Sequence, residues 1–129
     1  MIGELTNLIS LSLPGDFDDK VENMELAVTP LTKLIHLQRL DLSWCKKFNI
    51  NTLRILSSLK KITQLELDGC ECIYNDSLFE LLLAFPRLQK VYLTDFDIEQ
   101  DGEKYKTFAQ LRPTVELEGI RLIKPSNLS

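Results

Sequence analysis

Basic residues and long apolar runs are scarce in this sequence, and each scarcity argues against one kind of partner. Fifteen Lys and Arg stand against nineteen Asp and Glu, which gives a formal net charge of -4. Proteins that bind nucleic acid need clustered basic residues against the phosphates, so we expect no nucleic acid partner. No apolar run approaches the roughly 20 residues that span a bilayer, so we expect no membrane partner either.

Cysteine is also rare, and its number bears on the compartment. The chain has three cysteines, an odd count without the spacing of a disulfide framework, which indicates a reducing compartment. The N-terminus lacks the basic region and cleavage site of a signal peptide. We therefore expect an intracellular protein, in the cytoplasm, with the nucleus and the mitochondrion as alternatives.

Motifs for metal binding and catalysis are missing. Cys70-x-Cys72 suggests a metal site only weakly, because Cys45 and the single histidine, His36, are the other available ligands of those types. We expect Cys45 and Cys70 to be buried and Cys72 to be exposed in a loop. Glycine-rich phosphate loops, G-x-S-x-G and H-E-x-x-H are all absent. We therefore expect no enzyme, no metal and no cofactor.

A short apolar motif, by contrast, recurs five times. It reads LISLSL, LQRLDL, ITQLEL, LQKVYL and, in a decayed form, TVELEG. Its central apolar residues fall at positions 11, 40, 65, 91 and 115, so the steps are 29, 25, 26 and 24 residues. A period of this length indicates a repeat architecture.

The period of the apolar residues changes inside each copy. Leu65 and Leu67 alternate as in a strand, whereas Leu78, Leu81, Leu82 and Phe85 recur at helical spacing. Asp76 or Ser77 is a candidate cap for that helix, and Pro86 would end it. We also predict helices from Val21 to Val28, interrupted by Pro30, and from Gly102 to Leu111. One strand and one helix cannot bury their own apolar faces, but stacked copies can.

These copies resemble the leucine-rich repeat superfamily, and within it the cysteine-containing subtype. Cys45 and Cys70 take the cysteine position of that subtype. The other matched residues are Phe48 and Ile73, Asn75 near an Asp position, and Phe85-Pro86 in place of Cys-Pro; Phe96 replaces the cysteine in the fourth copy. The resemblance covers nearly the whole chain. It implies one domain over residues 1–129, with repeats starting near 8, 37, 62, 88 and 112.

The resemblance also implies a fold and a function. The fold is a short right-handed α/β solenoid with about five parallel strands on a concave face and helices on the convex face. The function is protein binding, as in the repeat region of F-box proteins that recognise substrates for a ubiquitin ligase. No F-box is expected here, because little sequence precedes the first copy. The alternatives are a stand-alone scaffold or assembly factor, for example for a mitochondrial complex, and a fragment of an immune-receptor repeat region.

The outward positions of the strands are the candidate binding residues. They form three columns across the predicted sheet: Ser10, Arg39, Gln64, Lys90 and Thr114; Ser12, Asp41, Glu66, Tyr92 and Glu116; and Pro14, Ser43, Asp68, Thr94 and Glu118. From these we predict a binding set of Arg39, Asp41, Ser43, Gln64, Glu66, Asp68, Lys90, Tyr92, Thr94 and Glu116.

Two interpretations of this face remain open. Adjacent strands lie about 4.8 Å apart, so Asp41 and Glu66 are expected to be neighbours, which costs stability. Either the face is simply polar and solvated, or it is an acidic binding surface with Tyr92 as an aromatic anchor. The second interpretation predicts a protein partner that carries a basic segment.

Two further predictions concern Trp44 and the N-terminal edge. Trp44 follows the second strand, and we expect it to pack as core under the loop; the alternative is an apolar rim beside the acidic face. Ile2 and Leu5 offer little to cover the first strand. We therefore predict an open N-terminal edge: either the chain is a piece of a longer protein, or another chain or self-association covers that edge.

Overall fold

The structure is a computed structural model, and it describes residues 7–13, 22–74, 77–99 and 102–123. Short strands alternate with helical segments along the chain. The strands are β1 (Ser10–Ser12), β2 (Arg39–Asp41), β3 (Gln64–Glu66), β4 (Lys90–Glu99) and β5 (Glu116–Ile123). The α-helices are α1 (Met24–Val28), α2 (Ile50–Leu56), α3 (Ser77–Leu82) and α4 (Glu103–Leu111), with 3-10 helices at Thr29–Lys33 and Glu71–Ile73.

The described strands form one parallel sheet in the order β1-β2-β3-β4-β5. Strands that are consecutive in sequence are therefore neighbours in the sheet, and consecutive helices contact one another. The helices and the inward strand residues share one apolar core. The prediction of an α/β fold with five parallel strands is confirmed.

The register of the first four strands follows the repeated motif. Leu11 pairs with Leu40, Leu40 with Leu65, and Leu65 with Val91. Leu40, Leu65 and Val91 are fully buried. Because side chains alternate along a strand, the residues on either side of each central position point to the opposite, polar face. The first two predicted columns are therefore correct over these strands.

The predicted register of the fifth strand is wrong by two residues. Val91 pairs with Leu117 rather than with Val115, so Lys90 lies opposite Glu116 instead of Thr114. Val115 is still part of the turn that follows α4, where its N–H donates to the carbonyl of Arg112 at 3.2 Å. A shift by two residues keeps the same side chains on each face, so Glu116 remains on the polar face.

Local sequence explains where the helices begin. Asn49 precedes α2 and forms a reciprocal capping box with Thr52, each side chain accepting a hydrogen bond from the other residue's backbone N–H. Asn23 accepts from the N–H of Leu26, so α1 starts at Met24 rather than at Val21. The predicted end of α1 before Pro30 and the span of α4 are confirmed.

Several residues named in the predictions lie outside the described ranges, and one predicted helix cap has a different position in the structure. Asn75, Asp76, Ile2, Leu5 and Pro14 lie outside the described ranges. Ser77 is the first residue of α3 rather than its cap. None of the described helices has the length and hydrophobicity that crossing a membrane would require.

The fourth and fifth strands are longer than the first three, which the sequence analysis did not anticipate. Val91 and Leu93 are buried, and after an irregularity at Thr94 and Asp95 the inward positions resume at Phe96 and Ile98. This bulge keeps the apolar side chains on the core side. On β5, Gly119 has a φ of 92°, and a Cβ there would lie 1.5 Å from the carbonyl oxygen of Leu93. Only glycine fits this approach.

The extended strands carry an aromatic cluster that closes this end of the core. The ring of Phe96 stacks on Tyr74 with 5.1 Å between centroids and on Phe79 with 6.2 Å. Phe79 also contacts the rings of Tyr105 and Phe108, both from α4. Phe96 stands where the second and third copies have Cys45 and Cys70, which are both buried as predicted.

Tyr74 connects this cluster to the loops at the ends of β3 and β4. Its hydroxyl accepts from the backbone N–H of Gly69 at 3.0 Å and of Thr94 at 2.8 Å, and it donates to the carbonyl of Leu67 at 3.0 Å. Burial raises the pKa of Tyr74 above its ordinary value, against the lowering effect of these hydrogen bonds. The hydroxyl therefore stays protonated at neutral pH and keeps its donor.

Removing this hydroxyl tests its role. Tyr74→Phe leaves two backbone N–H groups without an acceptor, so we expect a loss of about 1–3 kcal/mol in the free energy of unfolding, measured with urea. The matched control is Tyr105→Phe, whose ring also contacts Phe79. We expect the control to stay within about 0.5 kcal/mol of wild type. Equal stability of the two variants would show that the Tyr74 hydroxyl does not hold the loops.

Candidate functional site

The predicted binding residues lie on one side of the sheet, which we call the polar sheet face. It consists of Ser10, Ser12, Arg39, Asp41, Gln64, Glu66, Lys90, Tyr92, Thr94, Glu116 and Glu118 on the strands, and Ser43 and Asp68 two residues after β2 and β3. All ten predicted residues belong to it. The correction to β5 places Glu118, rather than Glu116, opposite Tyr92.

Arg39 is the centre of the first part of this face. Its guanidinium donates to Ser10 Oγ at 3.1 Å, and its Nη2 lies 2.5 Å from Glu66 Oε2. The second contact is an ion pair to a buried carboxylate oxygen, and it acts to lower the pKa of Glu66.

The carboxylate of Asp41 is better stabilised by hydrogen bonds than that of its neighbour Glu66. Ser12 Oγ donates to Asp41 Oδ2 at 3.0 Å, and the Ser43 N–H donates to Oδ1 at 2.9 Å. Burial raises the pKa of Asp41, but the hydrogen bonds from Ser43 and Ser12 and the charge of Arg39 outweigh it. The pKa of Asp41 is therefore lower than its ordinary value.

Glu66 has the opposite balance. Asp41 and Glu66 are directly paired in the register, as the sequence predicted. Burial raises the pKa of Glu66, the charges of Asp41 and Asp68 raise it further, and the attraction of Arg39 does not compensate. The environment of Glu66 therefore disfavours its charged form.

The other part of the face is neutralised by its own lysine. Lys90 Nζ lies 3.5 Å from a carboxylate oxygen of Glu116 and 3.9 Å from one of Glu118. It also sits 4.9 Å from the centroid of the Tyr92 ring. Its interactions with Tyr92 and then Glu116 raise the pKa of Lys90, so the cation is retained at neutral pH. One side of the Tyr92 ring is thus already covered by a cation of the same chain.

Trp44 does not pack in the core, so the first of the two predictions for it is wrong. Its side chain is 56% exposed. The backbone N–H donates to the carbonyl of Asp68 at 2.7 Å, and the indole lies against Gly69. The alternative prediction, an apolar rim next to the acidic residues, agrees with this position.

The reason for the exposure of Trp44 is its backbone conformation. Trp44, Gly69 and Asp95 each come four residues after the central apolar residue of their copy, and their φ angles are 69°, 74° and 50°. The backbone at this position of each copy therefore requires a residue with a left-handed φ. A bulky side chain in this region is unusual and strained, at a cost of about 1–3 kcal/mol. Gly69 at the equivalent position is the sequence signal that could have revealed it.

The remaining candidate residues have structural contacts. His36 Nδ1 lies 3.0 Å from Lys61 Nζ. Cys72 is exposed, as predicted, and its thiol donates to the carbonyl of Lys46 at 3.0 Å. Within the described ranges, no three His, Cys, Asp or Glu side chains are grouped as metal ligands would be. These residues do not extend the polar sheet face.

The sequence matches no protein-family model, and it has no significant match among curated proteins.

The pKa of Glu66 is raised and that of Asp41 is lowered. Replacing each carboxylate by its neutral amide should therefore change stability in opposite directions. Because the charged form of Glu66 is disfavoured, Glu66→Gln is expected to raise the urea midpoint near about pH 7. The stability that wild type gains from a raised pKa is fully present below the ordinary value of 4.5 and is lost as the pH rises through the folded-state pKa. The advantage of Glu66→Gln should therefore shrink near about pH 4.

Asp41→Asn should behave in the reverse way. A lowered pKa gives stability that is present above the ordinary value of 3.8 and is lost as the pH falls through the folded-state pKa. This variant is therefore expected to be less stable than wild type near about pH 7. If Glu66→Gln is destabilised as much as Asp41→Asn, the ion pair with Arg39 outweighs burial and repulsion, and the assigned direction for Glu66 is wrong.

The contact between Trp44 and Gly69 gives a further prediction. Gly69→Ala places a Cβ 2.2 Å from Trp44 Cε3 at a φ of 74°. The left-handed φ alone costs a non-glycine residue about 1–2 kcal/mol, and displacement of the indole adds to it. In wild type, we expect Gly69→Ala to cause the larger loss in the free energy of unfolding. In the Trp44→Gly background, which lacks the indole, the same change should cause a smaller loss. Equal losses in the two backgrounds would show that the indole does not lie on Gly69.

Proposed function

We propose that this chain is a short leucine-rich-repeat solenoid of the cysteine-containing subtype and that it is a protein-binding module. The in-register strands, joined one after another by helical connections, support this proposal. The thiol of Cys70 donates to the carbonyl of Leu42 in the preceding copy at 3.0 Å. This bond gives the repeated cysteine a role in stacking adjacent copies, which fits the proposed subtype.

The polar sheet face is the proposed binding surface. The observation that carries the proposal is the direct pairing of Asp41 with Glu66, two carboxylates on adjacent strands. Burial raises the pKa of Glu66 most, and the next cause is its repulsion from Asp41, since like charges in this position reduce stability. A cation brought by a partner would relieve it. The proposed partner is therefore a protein that presents a Lys- or Arg-bearing segment.

The resemblance to the repeat region of F-box proteins makes the role more specific. We propose that the chain recognises substrates for a ubiquitin ligase inside the cell, with a basic segment of the substrate on the polar sheet face. The three cysteines are thiols rather than disulfides, in keeping with a reducing compartment. We propose no catalytic step for the face.

The test is a charge reversal at the paired carboxylates. Asp41→Lys with Glu66→Lys is expected to abolish recovery of the partner in a pull-down from cell extract, analysed by mass spectrometry, because it turns attraction into repulsion. The matched control, Glu25→Lys with Glu80→Lys, changes the net charge equally at exposed positions of α1 and α3. It should recover the same partner as wild type.

Circular dichroism and urea unfolding establish that both double variants are folded before the comparison. If the folded Asp41→Lys, Glu66→Lys protein recovers every wild-type partner, the polar sheet face is not the binding surface. If the control loses the same partner, net charge rather than this face controls recovery. Either result contradicts the proposal.

A further inference from the structure

Trp44 has a conformation and an exposure that its contribution to stability does not explain. It is the single tryptophan of the chain, it is 56% exposed, and it holds a left-handed φ of 69°. Glycine would adopt this φ without strain, as it does at the equivalent position, Gly69. A large, exposed aromatic ring on a strained residue points to recognition rather than folding.

The turn places the ring beside the acidic part of the polar sheet face. The N–H of Trp44 is tied to the carbonyl of Asp68, and the indole rests on Gly69, the next residue. Asp68 itself accepts from Thr94 Oγ1 at 2.8 Å, which leaves its second carboxylate oxygen for another donor. On this side, Arg39 is the single basic residue of the face beside Asp41, Glu66 and Asp68. Around these strands, three carboxylates therefore stand against one guanidinium, while Lys46 and Lys47 follow Trp44 in the chain.

Tyr92, the aromatic residue that the sequence suggested as anchor, is in a different situation. Lys90 of the same chain already sits over its ring and is paired with Glu116 and Glu118. A partner cation would have to displace Lys90 to reach the Tyr92 face. Trp44 has no such cation over its ring among the described residues, so it is the better placed of the two aromatic side chains.

On the basis of the proposed function, we infer that Trp44 is the anchor for an arginine of the partner's basic segment. The guanidinium stacks on the exposed indole and donates hydrogen bonds to a carboxylate of the Asp41, Glu66 and Asp68 group. Tryptophan is the strongest cation–π partner among the aromatic side chains. Arginine is preferred over lysine because its planar guanidinium stacks on a ring and binds a carboxylate at the same time.

Fluorescein-labelled peptides of alternating arginine and glycine, with lysine and citrulline counterparts of equal length, are the probes for this inference. Fluorescence polarisation gives their affinities for wild type, Trp44→Gly, Trp44→Phe and Tyr92→Leu. We expect Trp44→Gly to weaken binding of the arginine peptide about tenfold and to remove its advantage over the lysine peptide. Trp44→Phe should restore part of the affinity, and Tyr92→Leu should weaken binding less than Trp44→Gly does. The citrulline peptide should not bind.

Trp44→Gly is a suitable variant because glycine accepts the left-handed turn, and its urea midpoint confirms that it is folded. Trp44→Phe keeps an aromatic ring at the same strained position, so it separates the loss of the ring from relief of the backbone. A merely structural role for Trp44 would change the midpoint without changing the ratio of arginine to lysine affinity. That result would overturn the inference.

The outcomes separate this inference from the proposed function. If Asp41→Lys with Glu66→Lys abolishes peptide binding while Trp44→Gly binds the arginine peptide as wild type does, the acidic surface stands and the Trp44 anchor is wrong. If neither variant weakens binding, both are wrong. If wild type self-associates in sedimentation and Trp44→Gly does not, a second copy occupies the ring, and the assignment of a separate partner is overturned.

Discussion

The polar sheet face depends on one constraint, the in-register parallel pairing of the central apolar residues. A three-residue strand and its helix cannot bury their own apolar sides, so each copy is stable only when Leu40, Leu65 and Val91 are stacked in the core. The same register necessarily aligns the outward residues. Asp41 therefore lies against Glu66 because Leu40 lies against Leu65. A repulsion on the surface is imposed by apolar packing on the other side.

A second constraint is the left-handed turn that follows β2, β3 and the first half of β4. Residues 44, 69 and 95 all have a positive φ, and they are of three different types: tryptophan, glycine and aspartate. The positive φ therefore belongs to the repeated turn rather than to one residue type. Glycine relieves the strain at position 69 and makes room for the indole of Trp44. Two successive copies thus cooperate, since the small residue of one supports the large residue of the other.

The sequence predicts the part of the fold that repeats and fails where repetition ends. The motif of apolar residues predicts the register of β1 to β4, and with it the strand positions of six of the ten predicted site residues. In TVELEG, Val115 and Leu117 have the same parity, and only the end of α4 decides between them. The bulge before Phe96 depends on a long-range pairing that local sequence does not report. The prediction that Trp44 packs in the core was based on its hydrophobicity, and it was wrong because the turn keeps this side chain out of the core.

The two parts of the polar sheet face differ in what a partner could gain from them. Around β4 and β5, Lys90 already neutralises Glu116 and Glu118, so an incoming cation would compete with an existing one. Around β2 and β3, Arg39 pairs with Glu66 and acts on Asp41, but its attraction does not offset the burial and repulsion that raise the pKa of Glu66. A cation bound there lowers that pKa and recovers the free energy that the unbound protein lacks. For the basic partner proposed above, the electrostatic cost that weakens the free fold would become part of the affinity.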